Sequence, residues 1–322
     1  MSWFRLIGGA VASAILTSNA LADYPERAIR IVVPYTPGGT VDILARSLGE
    51  RLTAAWKQPV VIDNRPGAGG SIGAEAVAKA APDGYTLFIS TNSPLTTNVW
   101  LQRSLNYDPL RDFAPITVAG ENSLLLVTHP SVPATNIQEL IAYVESKKPG
   151  ELSAGTSGQG TTAHLSLAQF NKRAGVELNH IPYRGGVPSL TAAVANEVPM
   201  TFSDIVPAIP LVRGGQVRGL ATTGPRRAGI APDIPTMSEA GLPGFNIIAW
   251  GGLVAPAGTP QAIILKIYDE VSRTIKEVSF RNRIVEMGID PVDMPPDRFS
   301  DYLRQEVPRW KVIVEEAGIQ PN

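Results

Sequence analysis

Short apolar runs alternate with amphipathic stretches along almost the whole chain, and few architectures accept that rhythm. Ile29-Arg30-Ile31-Val32-Val33 reads as a strand closed by Pro34. From Val41 to Trp56 the apolar residues fall at Val41, Leu44, Leu48, Leu52 and Trp56, a stripe of helical period. Val60-Val61-Ile62 and Thr86-Leu87-Phe88-Ile89 are the next strands, with a helix between them that Ser71 can cap. Asn136, with Glu139 three residues later, resembles a capping box for a helix over Leu140-Ile141 and Val144. A central block repeats the theme. Leu152-Ser153-Ala154 is followed by a helix from about Thr162 to Arg173, and Gly175 suits its end. Strands at His180–Tyr183, Met200–Ser203 and Val217–Thr222 come next, with a helix over Leu190–Ala195. The last third is mainly helical, and Pro308 is expected to kink the final helix.

Strands joined through helices pair in parallel and are covered on both faces, so the fold class is α/β with mainly parallel sheets. A chain of 322 residues is long enough for two cores. We expect a first lobe from residues 23–121 plus 251–322 and a second from 122–250. The crossings are expected near Gly120–Ser123 and Trp250-Gly251-Gly252, where small residues suit a hinge.

The N-terminus reads as a leader, residues 1–22. Arg5 precedes an apolar stretch from Leu6 to Leu16 that is too short to span a bilayer comfortably, and Ala20-Leu21-Ala22 has the form of a cleavage site. Cleavage after Ala22 implies a periplasmic protein. There is no cysteine, so neither disulfides nor a thiol nucleophile are available. A formal charge of −1 gives no electrostatic case for nucleic acid. Three scattered histidines make a transition-metal site a poor reading, and no cofactor is expected.

Two loops carry the chemistry that remains. Pro34-Tyr35-Thr36-Pro37-Gly38-Gly39-Thr40-Val41-Asp42 joins the first strand to the first helix. Gly155-Thr156-Ser157-Gly158-Gln159-Gly160-Thr161-Thr162-Ala163-His164 does the same in the central block. Ligands of open α/β sheets bind beyond the carboxyl ends of the strands, where both loops lie. Glycines let main-chain N–H groups approach a guest, and a helix N-terminus favours an anion. Each terminus contributes roughly 0.3–1 kcal/mol, and about 2 when shielded from water. Micromolar binding needs about 8 kcal/mol, so direct hydrogen bonds and closure of the cleft must supply the rest. Structural roles compete at several of these positions. Ser157, Thr161 and Thr162 are also natural helix caps. Asp42 suits a helix's first turn as well as a ligand. His164 suits a satisfied helix position, and Asp204 suits an N-cap as well as a ligand's distal hydroxyl or amine. Asn64–Ser71 is a third glycine-rich segment, read as structural.

Gly158-x-Gly160-x-x-Ala163 formally matches a dinucleotide fingerprint, but Glu177 precedes the next strand where the ribose-binding acid should follow it. Gly155-Thr156-Ser157-Gly158 is not a nucleophile elbow, and a Ser157–His164 pair has no orienting acid nearby.

Several segments, taken in order, resemble the Bug family, the TctC-like extracytoplasmic solute receptors of tripartite tricarboxylate transporters. They are Val33-Pro34-Tyr35-x-Pro37-Gly38-Gly39-x-x-Asp42-x-x-Ala45-Arg46, Asn64-Arg65-Pro66-Gly67-Ala68-Gly69-Gly70, Pro82-Asp83-Gly84-Tyr85, and the Gly155–His164 loop. Pro182-Tyr183-Arg184-Gly185, Pro232-Asp233-Ile234-Pro235-Thr236 and Trp250-Gly251-Gly252 follow. The resemblance covers essentially the whole chain after the leader. It implies a two-lobed Venus-flytrap of the type II periplasmic-binding class that performs no catalysis. It implies one carboxylate held by both loops, partly through ordered water. Tyr35, Thr36, Gly38, Gly39, Thr40, Asp42, Ser157, Gly158, Gly160, Thr161, Thr162 and His164 are the candidates there. Tyr183 and Asp204 are candidates for reading the rest of the ligand. A monomer that docks on integral-membrane transporter subunits is expected. The other readings are an exported hydrolase using the same cleft and a receptor that feeds a sensor kinase.

Overall fold

A computed structural model of the chain describes residues 24–316. The expected leader and its cleavage site lie outside the described residues. The first strands, β1 (Ile29–Val33), β2 (Val60–Asn64) and β3 (Thr86–Ser90), are parallel, with β1 in the centre. Helix α1 (Thr40–Trp56) returns the chain from β1 to β2, and α2 (Ser71–Ala78) returns it from β2 to β3. The α1 stripe is buried at Val41, Leu44, Leu48 and Leu52, as its spacing requires. Gly70, not Ser71, is the N-cap of α2, because the Ser71 hydroxyl bonds Gln102 instead.

A short helix α3 (Asn98–Leu101) leads to β4 (Phe113–Thr128), a sixteen-residue strand that organises the molecule. After it come α4 (Ile137–Glu145), β5 (Ser153–Thr156), α5 (Thr162–Ala174), β6 (Asn179–Pro182), α6 (Gly186–Val194), β7 (Met200–Asp204), α7 (Ile205–Arg213) and β8 (Arg218–Thr222). Strand β9 (Ile248–Pro256), helices α8 (Gln261–Lys276) and α9 (Val278–Glu286), strand β10 (Asp290–Pro291) and helix α10 (Pro296–Glu316) complete the described chain. Helix α10 runs through Pro308 without interruption.

β4 belongs to two sheets. From Phe113 to Ser123 it pairs antiparallel with β9, which itself pairs with β3. From Leu124 to Thr128 it pairs with β7 and β8. The second sheet continues in parallel from β7 to β5 to β6. Strand side chains alternate between faces, and here that alternation feeds two cores. Leu125 and Val127 join the cluster of Ile29, Ile31, Leu44 and Leu48. Leu124 and Leu126 join that of Leu140, Phe170, Phe202 and Phe245. Trp310 and Val314 of α10 also pack into this second cluster, so the C-terminal helix ties the two halves together.

The strand orders place two switch points. β1 sends its helix toward β2 on one side, while β3 lies on its other side. β5 sends its helix toward β6, while β7 lies on its other side. Crevices open where connections diverge in this way, beyond the carboxyl ends of β1, β3, β5 and β7.

Candidate functional site

One cavity occupies both crevices at once. Its wall carries Tyr35, Thr36, Gly39, Thr40 and Asp42 from the loop after β1, and Thr91 from the end of β3. The loop after β5 contributes Ser157, Thr161 and Thr162, and the end of β7 contributes Asp204. About 440 Å³ lies between the wall atoms, part of it open to solvent. Among the described residues no Lys, Arg or His stands on the wall.

The first loop is held by its own acid. Gly38 adopts a φ of +87°, a left-handed turn that an L side chain resists. The turn directs the Gly38 N–H to Asp42 Oδ2 at 2.9 Å. Arg46 grips both carboxylate oxygens, at 2.9 and 3.0 Å, and Asn64 Nδ2 donates to Oδ1 at 2.9 Å. Asn64 also donates to the Tyr35 carbonyl, closing the network around the loop. Burial alone would raise the Asp42 pKa, but the bonds from Arg46, Gly38 and Asn64 outweigh it and hold the carboxyl below its usual range. Both oxygens are thus committed to the protein, and Asp42 shapes the wall rather than offering an acceptor to it. The Tyr35 hydroxyl is 2.7 Å from Thr91 Oγ1, joining the ends of β1 and β3.

The second loop is held by hydroxyls. Thr161 caps α5, its Oγ1 accepting from His164 N, and Ser157 Oγ donates to Thr161 Oγ1 at 3.0 Å. His164 stands behind the wall. Its ring stacks on His180 with centroids 3.8 Å apart, and its Nδ1 accepts from Gly160 N. Burial and the neighbouring imidazole lower the His164 pKa to about 3, and burial lowers that of His180 to about 4. His164 is therefore a neutral acceptor that fixes the loop. Gly158 and Gly160 also stand off the wall. Both have positive φ, and a Cβ at Gly160 would fall 2.7 Å from Leu101 Cδ1. Tyr183 packs on the cluster of Ala192, Ala193 and Val198, and its N–H donates to the Thr156 carbonyl, so it too lies off the wall.

Two side-chain hydrogen bonds cross the crevice: Thr162 Oγ1 donates to Asn92 Oδ1 at 3.3 Å, and Thr97 Oγ1 donates to the Gly160 carbonyl at 2.9 Å. The Thr40 N–H faces the Asp204 carboxylate. Asp204 opens α7 but makes no side-chain cap there. Burial pushes its pKa up to about 6, against the pull of the Thr40 N–H. The wall also includes Thr91, Leu124, Gly186 and Ala249, none of which was anticipated from sequence. Thr91 follows the end of β3, but its place beside β1 depends on a strand order the sequence does not display.

A sequence profile described as the tripartite tricarboxylate transporter family receptor, TctC, matches residues 44–319. This chain belongs to that family. The receptor is 35% identical to protein BugT of Bordetella pertussis over 315 residues, covering 97% of this chain and 96% of the relative. Among solved structures it is similar to R. palustris Rpa4515 with adipate, at 36% identity and a TM-score of 0.90, covering 93% of this chain and 100% of that one. It is also similar to MatC of Rhodopseudomonas palustris with bound malate, at 34% identity and a TM-score of 0.85, covering 90% and 100%. The family and these neighbours are solute-binding receptors, and the receptor shares their two-lobed periplasmic-binding fold. It is a solute-binding protein, not an enzyme. Among the described residues no helix is long and apolar enough to cross a membrane.

Proposed function

We propose that the receptor captures a small organic carboxylate in the cavity between the sheets and delivers it to the integral-membrane subunits of a tripartite tricarboxylate-type transporter. It does so as a periplasmic monomer, after loss of residues 1–22. The observation that carries this reading is the joint wall. The N-termini of α1 and α5 both reach one cavity, whose wall carries main-chain amides and hydroxyls beside the carboxylates of Asp42, tied up by its own loop, and Asp204. The α5 end of this wall, which has no acid in its first turn, favours an anion without a cationic side chain. The adipate and malate seen in the two neighbours are both carboxylates, which supports the same class here.

The ligand contacts are Tyr35, Thr36, Gly39, Thr40, Ser157, Thr161, Thr162 and Asp204, with Thr91 added by its position. Gly38, Asp42, Gly158, Gly160 and His164 hold the loops in shape. The lobes are 23–121 with 251–322 and 122–250, joined where β4 passes between sheets. A ligand that bridges both walls favours the closed arrangement by its higher affinity for it. The closed form is the one the transporter accepts.

A thermal-shift screen across mono-, di- and tricarboxylates tests the reading. A ligand at about 100 times its dissociation constant adds roughly 2.7 kcal/mol of stability. A chain that responds to no carboxylate, but to neutral sugars or cations, refutes it.

A further inference from the structure

The cavity wall is electrically lopsided. Asp204 enters from the second sheet, and its carboxylate lies against the start of α1, facing the Thr40 amide. Glycines make the room for it. A Cβ at Gly186 would fall 2.7 Å from Asp204 Oδ2, and one at Gly39 would fall 3.2 Å from it. Among the described residues no Lys, Arg or His pairs with Asp204, and none lines the cavity. The partial positive charge at the start of α1 is therefore already answered by a protein carboxylate. Beside it, Thr40 Oγ1 has no hydrogen-bond partner, although Thr40 is only 4% exposed and lines the cavity.

The start of α5 differs. Its first turn contains no acid. The N–H groups of Thr162 and Ala163 have no acceptor among the described residues, and the Ser157 and Thr161 hydroxyls stand next to them on the wall. A ligand carboxylate placed at Asp204 meets a like charge at short range, in a site shielded from water. Placed at α5 it meets the two unpaired amides and no carboxylate.

We infer that the ligand lies in one orientation, its carboxylate at α5 and a hydroxyl or ammonium substituent at Asp204, so that its class is a hydroxy or amino acid in preference to an unsubstituted carboxylate. This rests on the carboxylate reading of the cavity given above. Burial raises the Asp204 pKa only to about 6, so near pH 8 the group is ionised and requires a donor. Leu124 and Ala249 give the same wall an apolar part.

The test is isothermal titration calorimetry of the full chain at pH 8 with ligands matched in skeleton: succinate, malate and aspartate; glutarate, 2-hydroxyglutarate and glutamate; propionate, lactate and alanine. In at least one set the substituted members bind about tenfold or more tightly than the unsubstituted one, the scale of a hydrogen bond to a charged group. Asp204→Asn, with Asp204→Ser as a second variant, erases that preference while the chain still melts cooperatively. Equal or tighter binding of the unsubstituted acids to the wild type overturns the inference, as does a preference that survives both substitutions. Absence of heat from every acid overturns the carboxylate reading and the inference together. Binding without a substituent preference overturns the inference alone.

Discussion

Replacing Asp42 by Ala separates a residue that builds the site from one that touches the ligand. Asp42 is 2% exposed and its two oxygens accept from Gly38 N, Arg46 and Asn64. Deleting the carboxylate leaves the Gly38 N–H and the Asn64 amide without their acceptor, and hydrogen bonds to charged groups are worth about 1.5–3 kcal/mol each. The Arg46 side chain is half exposed and re-solvates, so its pairing adds only about 0.2–1 kcal/mol. Because the bonds share one group they are not additive, and the expected loss is about 2–4 kcal/mol. Urea denaturation at pH 7 with an unchanged slope measures it. The loss is also pH-dependent. The folded pKa of Asp42 is lowered, so its contribution is present above the unfolded pKa near 3.8 and disappears as pH falls through the folded value. The wild type and variant therefore converge in acid. A variant that keeps wild-type stability yet loses ligand affinity refutes the argument and makes Asp42 a direct contact.

Gly186→Ala is expected to keep the fold and to weaken ligand binding about tenfold or more, because its Cβ displaces the Asp204 carboxylate; calorimetry beside a thermal melt checks both halves. Thr161→Val removes the α5 cap and should cost about 0.5–2 kcal/mol of stability as well as affinity, whereas Ser157→Ala should cost affinity with little change in melting. Undiminished affinity in both would remove the second loop from the site. The stacked imidazoles give a further acid dependence. His164 and His180 are lowered to about 3 and about 4, so the unfolded chain takes up protons first once pH drops below about 6.5. Stability is complete above that pH and falls toward pH 4. His164→Phe flattens part of this slope, and a denaturation series from pH 7.5 to 4.5 that shows no such difference contradicts the neutral assignment.

The local rules of the chain were readable in advance. The stripe of α1, the Asn136 cap that accepts from Glu139 N, and Gly175 at the left-handed end of α5 all depend on neighbours within one or two turns. Glu139 turned to Thr135 rather than to the cap's own N–H, a detail set by local geometry. The course of β4 was not readable. Its central run, Leu124-Leu125-Leu126-Val127, is apolar on both faces because each face serves a different core, and only the assembled sheets reveal that. The same holds for the site. Both loops were visible as glycine-rich strand-to-helix turns. Which glycines line the cavity and which merely turn the chain depends on contacts such as Leu101 against Gly160, far apart in sequence. Thr91, Leu124 and Ala249 lie on the wall through strand order alone.

The most direct test of the account is a crystal structure of the receptor with a bound hydroxy or amino acid. The account requires the ligand's carboxylate oxygens within about 2.7–3.2 Å of the Thr162 or Ala163 amides or the Ser157 and Thr161 hydroxyls, with the loop after β1 closing the other side. A ligand seated instead in the outer depression beside Asn98, Gln102 and Gln159, with the inter-sheet cavity untouched, would contradict it.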